Sequence, residues 1–450
     1  MTQLPRFRQR HVVPLAVCLL VSQALAQGSL PARINQFLAP YVATRDFGGV
    51  VLIARGSTPT YRHAFGMADY ERNVLNRVDT RFMIGSISKG LTAATILSLR
   101  DDGLLDLHDP VSKYIPDYPR GNEITLQHLL LHHSGIPDWG SFPDAAEMQR
   151  RRSTLAEIVD WFKTKPLDFA PPPPGIERHR YSSSGYVLLA DIVERITAKP
   201  FAAVVGERVL RPLHMSGTSS ADARAIVPGR ALGYMPAHDT TLLGNADWFD
   251  PSIMVGSGSF LSTADDLLRW ALSSTMGRLS DAAGAPHAIA VDAGGDSLHP
   301  FVSEAGIVPG FGAIFRRYAR DDVTIIVLNN INTGAIFEIA NGLEAIVFGK
   351  PYNVRQAYVP VTLDDRRLLA FEGRYRRSST DSVAVERLPD GLYIRFRSEP
   401  FHYPLFPLSD STLFYRQGYG TVTGRNGSGG AFSTLVFSYG GPPLVYERLR

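Results

Sequence analysis

The chain has 450 residues, 44% hydrophobic and 20% charged, with 40 Gly and 31 Pro. That profile describes a globular protein with a packed interior and excludes a disordered, collagen-like or polytopic membrane chain. The net charge of +3 comes from 46 Lys and Arg against 43 Asp and Glu, and Arg6, Arg8 and Arg10 supply the whole excess, so nucleic acid and anionic membrane surfaces are not indicated as partners.

In chain order, Arg6 to His11 form a positive segment, Val12 to Val21 an apolar one, and Ala24-Leu25-Ala26 a small-residue cleavage site. Residues 1–26 therefore read as a secretory signal peptide with Gln27 as the first mature residue, since the apolar run is about half the ~20 residues a membrane span needs. Cleavage would leave no integral membrane span and a periplasmic or secreted bacterial protein. Cys18, the one cysteine, would leave with the signal, so no disulfide, thiolate nucleophile or Cys-based metal site is expected.

Gly48 to Arg55 and Tyr61 to Gly66 read as two strands joined through Gly56 and Pro59. Leu91 to Leu99 carries no charge and stops at Asp101-Asp102-Gly103, which predicts a fully buried helix. The middle third lacks strand alternation, and Tyr186 to Ile196 is periodic as a helix. Strand signals return past Ser303, with Phe311 to Tyr318 and Val323 to Leu328 followed by a helix over Ile336 to Phe348. One sheet built from both ends of a domain around a helical insertion is expected. From Val359 short alternating segments with turns at Leu388-Pro389-Asp390-Gly391 and Asn426-Gly427 predict a separate all-β, barrel-like domain. The expected division is 1–26, 27–352 and 359–450, an α+β unit followed by a β-domain.

Ser86-Ile87-Ser88-Lys89 opens the buried helix. Residues three apart share a helix face, so the Ser86 hydroxyl and the Lys89 amine can meet. A hydroxyl needs a base to become a nucleophile, and a lysine in apolar surroundings has its charged form disfavoured. The helix N-terminus would favour negative charge on a nearby oxyanion. The bland alternative is Ser86 as a cap and Lys89 as a surface cation.

The string F-M-I-G-S-I-S-K-G-L-T-A-A-T-I-L around Ser86 resembles the serine β-lactamase and penicillin-binding-protein superfamily, in its class C β-lactamase, D-alanyl-D-alanine carboxypeptidase and family VIII esterase branch. Matching segments follow in order: Gly103 to Pro116, Ile124 to Pro137, Pro174-Gly175 leading to Tyr181-Ser182-Ser183-Ser184-Gly185-Tyr186, Arg211 to Met215, Gly258 to Trp270 and Pro309-Gly310-Phe311. The resemblance runs from about Phe47 to Phe348 and implies a β-lactamase/transpeptidase-like fold. It implies Ser86 as the acylated nucleophile, Lys89 and Tyr181 as its proton-handling partners, and the backbone N–H groups of Ser86 and Ile307 as the oxyanion hole. No metal or organic cofactor is implied.

Two positions depart from the family pattern. Tyr181-Ser182-Ser183 stands where the second motif usually reads Tyr-x-Asn, so Ser183 would hold a substrate amide less firmly. Glu304-Ala305-Gly306 stands where the third motif carries Lys, His or Trp before x-Gly. A Glu304 facing the substrate would reverse an interaction on the order of 4 kcal/mol at ~4 Å and an effective dielectric near 20. It would then repel carboxylate-bearing substrates, pair with Lys89, or mark a lost activity. The expectation is an esterase or peptidase acting on small acyl or peptide substrates. The alternatives are β-lactamase or D-alanyl-D-alanine carboxypeptidase activity, and an impaired protein that binds cell-wall or acyl ligands.

Other candidates have simpler readings. His128 and His132 are four apart, but Leu129 follows His128 where a zinc helix needs Glu, so His128, His132 and His133 are read as structural around the Ser134-Gly135 turn. Ser262-Thr263-Ala264-Asp265 reads as a helix cap. No G-x-S-x-G nucleophile elbow occurs, which disfavours an α/β-hydrolase.

Overall fold

The computed structural model describes residues 28–449 apart from 173–175, 177, 237–242, 274–291, 356–357, 359, 380, 390, 398–401, 426, 428–429 and 440–441. The signal peptide expected at 1–26, Pro174-Gly175 and the turn residues Asp390 and Asn426 lie outside the described residues.

Helix α1 (Leu30–Ala43) precedes the hairpin of β1 (Gly49–Arg55) and β2 (Thr58–Phe65). The helices that follow include α2 (Ser88–Asp101), α3 (Ser183–Thr197) and α4 (Ala264–Ala271). Then come β3 (Asp292–Gly295), β4 (Pro300–Val308), β5 (Phe311–Tyr318), β6 (Val323–Asn329) and α5 (Ala335–Val347). The six strands form one antiparallel sheet in the order β3-β4-β5-β6-β1-β2. The first and last strand groups therefore meet, with Val50 opposite Leu328 and Leu52 opposite Ile326.

Every residue of β1 except Arg55 is buried, because both faces of the sheet are covered. Val50, Leu52 and Ala54 point into a core shared with α2, α3 and α4. Val51 and Ile53 point the other way, into a core shared with α1 and α5. In α1 the buried positions Ile34, Phe37, Leu38 and Tyr41 follow helical spacing and form one stripe against that second core. Ser88 to Leu97 are all buried in α2, which agrees with the uncharged run in the sequence. Thr263 caps α4, its Oγ1 accepting the Asp266 N–H at 3.2 Å; the cap is thus one residue later than the start of the Ser262-to-Asp265 reading. The middle third does hold strands, such as Phe260–Ser262 and Tyr234–Pro236, too short to show alternation.

After α5 the chain forms a closed eight-stranded antiparallel barrel, β7 (Gly373–Arg376), β8 (Ser382–Leu388), β9 (Gly391–Phe396), β10 (Tyr403–Ser409), β11 (Thr412–Tyr415), β12 (Gly420–Arg425), β13 (Thr434–Ser438) and β14 (Leu444–Arg448). Pairing of Tyr375 with Arg448 closes it. Its interior is apolar, with Phe371, Tyr375, Ile394, Leu405 and Phe437 buried together. Phe406, Phe414 and Tyr419 face outward from this core and join the α1/α5 layer of the sheet. Asp46 and Arg416 make a buried ion pair across that seam at 2.6 Å.

Candidate active site

Ser86 stands on a single 3₁₀ turn, Gly85–Ile87, that runs into α2, one turn ahead of the helix on which the sequence pattern placed it. The three-residue spacing survives this change, because 3₁₀ geometry also brings residues three apart together. Lys89 Nζ donates to Ser86 Oγ at 3.2 Å and to the Ser257 carbonyl at 2.8 Å. Lys89 is only 2% exposed, and its ammonium also lies 4.8 Å from the Tyr181 ring centre and 5.7 Å from that of Tyr186. Carbonyl and ring faces thus take the place of a carboxylate partner.

Tyr181 comes from 95 residues further along the chain, and its OH is 2.6 Å from Ser86 Oγ. It directly precedes α3, where Ser182 is the N-cap, accepting the Gly185 N–H at 3.2 Å. The Ser182 N–H in turn donates to His132 Nδ1 at 3.1 Å, and the His132 ring lies 4.7 Å from that of Tyr181 and 5.2 Å from that of Tyr186. Burial, with the Lys89 charge adding to it, pushes His132 down to about 3, so the imidazole is neutral and its Nδ1 is free to accept. The Ser183 N–H donates to Asp138 Oδ2 at 2.7 Å, and Ser184 Oγ donates to the Pro137 carbonyl at 2.8 Å. These bonds tie the 132–138 loop to the start of α3 and hold Tyr181 over Ser86.

Strand β4 lies against the Ser86 turn. A Cβ on Gly306 would collide with the Ile84 carbonyl and stand 2.5 Å from Ser86 N, and one on Gly85, whose φ is +51°, would be 2.8 Å from Ile307 N. Two glycines therefore let the backbone amides of Ser86 and Ile307 approach the same point. Ser86, Lys89, Tyr181, Ser183, Ile307 and Trp139 are among the walls of a cavity of about 340 Å³.

Glu304 is placed otherwise than expected. It is 2% exposed and lies in the core, where Oε2 accepts from Trp270 Nε1 at 3.2 Å and Oε1 has no hydrogen-bond partner. Its carboxylate packs against the α2 backbone at Gly90. Desolvation with a single neutral donor holds its carboxyl well above the usual range, and the side chain, buried in the core, is not among the described walls of the cavity. Nor does it pair with Lys89 among the described residues. The expected repulsion of carboxylates by Glu304 is therefore absent; what remains is the loss of a cation.

Of the histidines, His128 completes a capping box with Thr125, each side chain accepting the other's backbone N–H at 3.2 Å. His132 does more than support the Ser134-Gly135 turn, since it packs on Tyr181. Sequence reasoning also missed Ser257 and Asp138, because neither a lone serine nor a lone aspartate carries a signal for a backbone partner far away in sequence. No helix among the described residues is long and apolar enough to cross a membrane.

The model of the Beta-lactamase family matches residues 34–347. Penicillin-binding protein 4* of Bacillus subtilis is 26% identical over 82% of this chain and 88% of its own length. The teichoic acid D-alanine hydrolase of Staphylococcus aureus is 27% identical over 50% of this chain and 54% of its own. Among solved structures, D-amino acid amidase from Ochrobactrum anthropi SV3 superposes with a TM-score of 0.60 at 21% identity, over 70% of this chain and 98% of the amidase, a likeness of fold. With its sheet, its Ser86 turn and a family match over most of its length, the chain belongs to the Beta-lactamase family, whose members include serine hydrolases.

Proposed function

We propose that the protein is a hydrolase working through an acyl-enzyme on Ser86, acting on esters or amides of small acyl or aminoacyl groups. The observation that carries this reading is the contact of one hydroxyl with both a buried lysine and a tyrosine, at 3.2 Å and 2.6 Å, on the wall of a cavity. Ser86 Oγ attacks the carbonyl carbon and its proton passes to the Lys89/Tyr181 pair. The carbonyl oxygen, now negative, turns to the N–H groups of Ser86 and Ile307. Tyr181, 45% exposed, delivers the proton to the departing alcohol or amine, and water then releases the acyl group by the reverse route.

Among the described residues the cavity walls carry one cation, Lys89, already engaged with Ser257 and Ser86, and one acid, Asp138. A substrate carboxylate would find no free cation among the described wall residues, which favours neutral or amine-bearing substrates over β-lactams. The D-alanine hydrolase among the relatives is consistent with an aminoacyl ester. Export through residues 1–26 belongs to the same reading, and intact mass of the secreted protein should start at Gln27.

The test is intact-mass analysis after incubation with a fluorophosphonate, beside Ser86→Ala. One adduct on the wild type and none on the variant supports the reading. No adduct on either overturns it and leaves a ligand-binding protein.

A further inference from the structure

A second cavity, of about 250 Å³, adjoins the first. The two share the consecutive residues Ile307, Val308 and Pro309, so the end of β4 is the ridge between them. The far wall belongs to the barrel, which contributes His402, Tyr403 and Gln417, while Asp247 and Asn332 come from the hydrolase unit. Any group attached to a carbonyl held at the Ile307 N–H has a path over the exposed Ile307 side chain into this space.

The chemistry of the walls is one-sided. His402 is engaged by Glu386, with Nε2 and Oε2 at 2.9 Å, and among the described residues no Lys or Arg lines the cavity. Asp247 is exposed and has neither an ion-pair nor a hydrogen-bond partner among the described residues. Asn332 is 7% exposed; its backbone is fixed by donation to the Tyr234 carbonyl, and its side-chain amide has no hydrogen bond among the described residues. Gln417 is likewise fixed by its backbone, its carbonyl accepting the Gly334 N–H, which leaves its amide to the cavity. One carboxylate without a partner among the described residues, beside two carboxamides, accepts hydrogen bonds and attracts positive charge.

We propose that this cavity is a distal subsite, built jointly by the barrel and the hydrolase unit, that takes an ammonium group carried by the substrate. The proposal rests on the acyl-enzyme reading of Ser86 for its catalytic consequence and gives the barrel a part in specificity.

Two pairs of esters test it, with acid release followed at constant pH 7. One pair is ethyl hexanoate and ethyl 6-aminohexanoate; the other is hexyl acetate and 6-aminohexyl acetate. In at least one pair the aminated ester should have a kcat/KM higher by about tenfold, the effect of one charge-assisted hydrogen bond. Asp247→Asn should abolish that preference and leave the unsubstituted esters unchanged. Equal rates within both pairs, or a preference that survives Asp247→Asn, overturns the proposal. Failure of the Ser86 reading looks different, since no ester would be cleaved and no fluorophosphonate adduct formed. In that event calorimetry with hexylamine and hexanol decides the subsite. Binding of the amine alone, lost in Asp247→Asn, supports it, and no binding overturns it.

Discussion

The cavity floor and the barrel seam both bury charge, and they treat it in opposite ways. At the seam, Asp46 is met by Arg416 Nε at 2.6 Å, by Tyr419 OH at 3.1 Å and by Thr44 Oγ1 at 2.7 Å, while Arg416 also donates to the carbonyls of Thr44 and Arg45. Opposite charges there are matched and surrounded by further hydrogen bonds. At the floor, Lys89 has carbonyl, hydroxyl and ring neighbours and, among the described residues, no carboxylate partner, while Glu304, in the core against α2, has one donor for two oxygens. The seam spends its polar groups on fixing two units together, whereas the floor keeps the Lys89 amine in reach of the Ser86 hydroxyl. Full satisfaction makes a lock, and a buried polar group with fewer partners is held less tightly.

The largest effect that would break this contrast is at Lys89. Lys89→Met should keep the fold and slow fluorophosphonate acylation of Ser86 by roughly a thousandfold, the scale of a positioned acid or base. Unchanged acylation would remove the lysine from the chemistry.

Next is Arg416→Ala, which leaves Asp46 buried without its cation and should cost about 3–5 kcal/mol in denaturant unfolding. A cost below 1 kcal/mol would mean that water or the barrel's movement relieves the carboxylate.

His132→Ala removes the ring behind Tyr181 and the acceptor for the Ser182 N–H. A loosened Tyr181 should lower kcat on the order of tenfold to a hundredfold with a smaller change in KM. Equal changes in a variant such as His128→Ala, which touches only a cap, would assign the effect to folding.

The smallest effect concerns Glu304. Burial raises its folded carboxyl above the ordinary value of 4.5, so the folded state keeps a proton that the unfolded chain releases. Its contribution to stability is present below that value and is lost as pH rises toward the folded one. Glu304→Gln should therefore match the wild type at pH 4 and be more stable by about 1 kcal/mol or more at pH 8, with an unchanged pH–rate profile. Parallel urea midpoints at both pH values would show that Glu304 is ionised in the fold.

Much of this was legible in the chain because it is local. The uncharged run from Leu91 to Leu99 became a buried helix, Phe311 to Tyr318 and Val323 onward became paired strands, and Ser86 and Lys89 met because three residues is close to one helical turn. The alternating segments after residue 359 announced strands, though not their closure, since pairing of β7 with β14 depends on residues some 70 positions apart.

The sequence by itself determined which residues could do chemistry and which segments would be strand or helix, because hydrophobic period and side-chain spacing act within one element. Tertiary structure alone decided where those residues face. It turned Glu304 inward, a matter of which face of β4 meets α2. It laid His132 against Tyr181 and brought the barrel's His402, Tyr403 and Gln417 to the edge of the cavity. Charge, burial and hydrogen-bond partners belong to the packed arrangement, so a residue's identity sets its possible roles and its neighbours select among them.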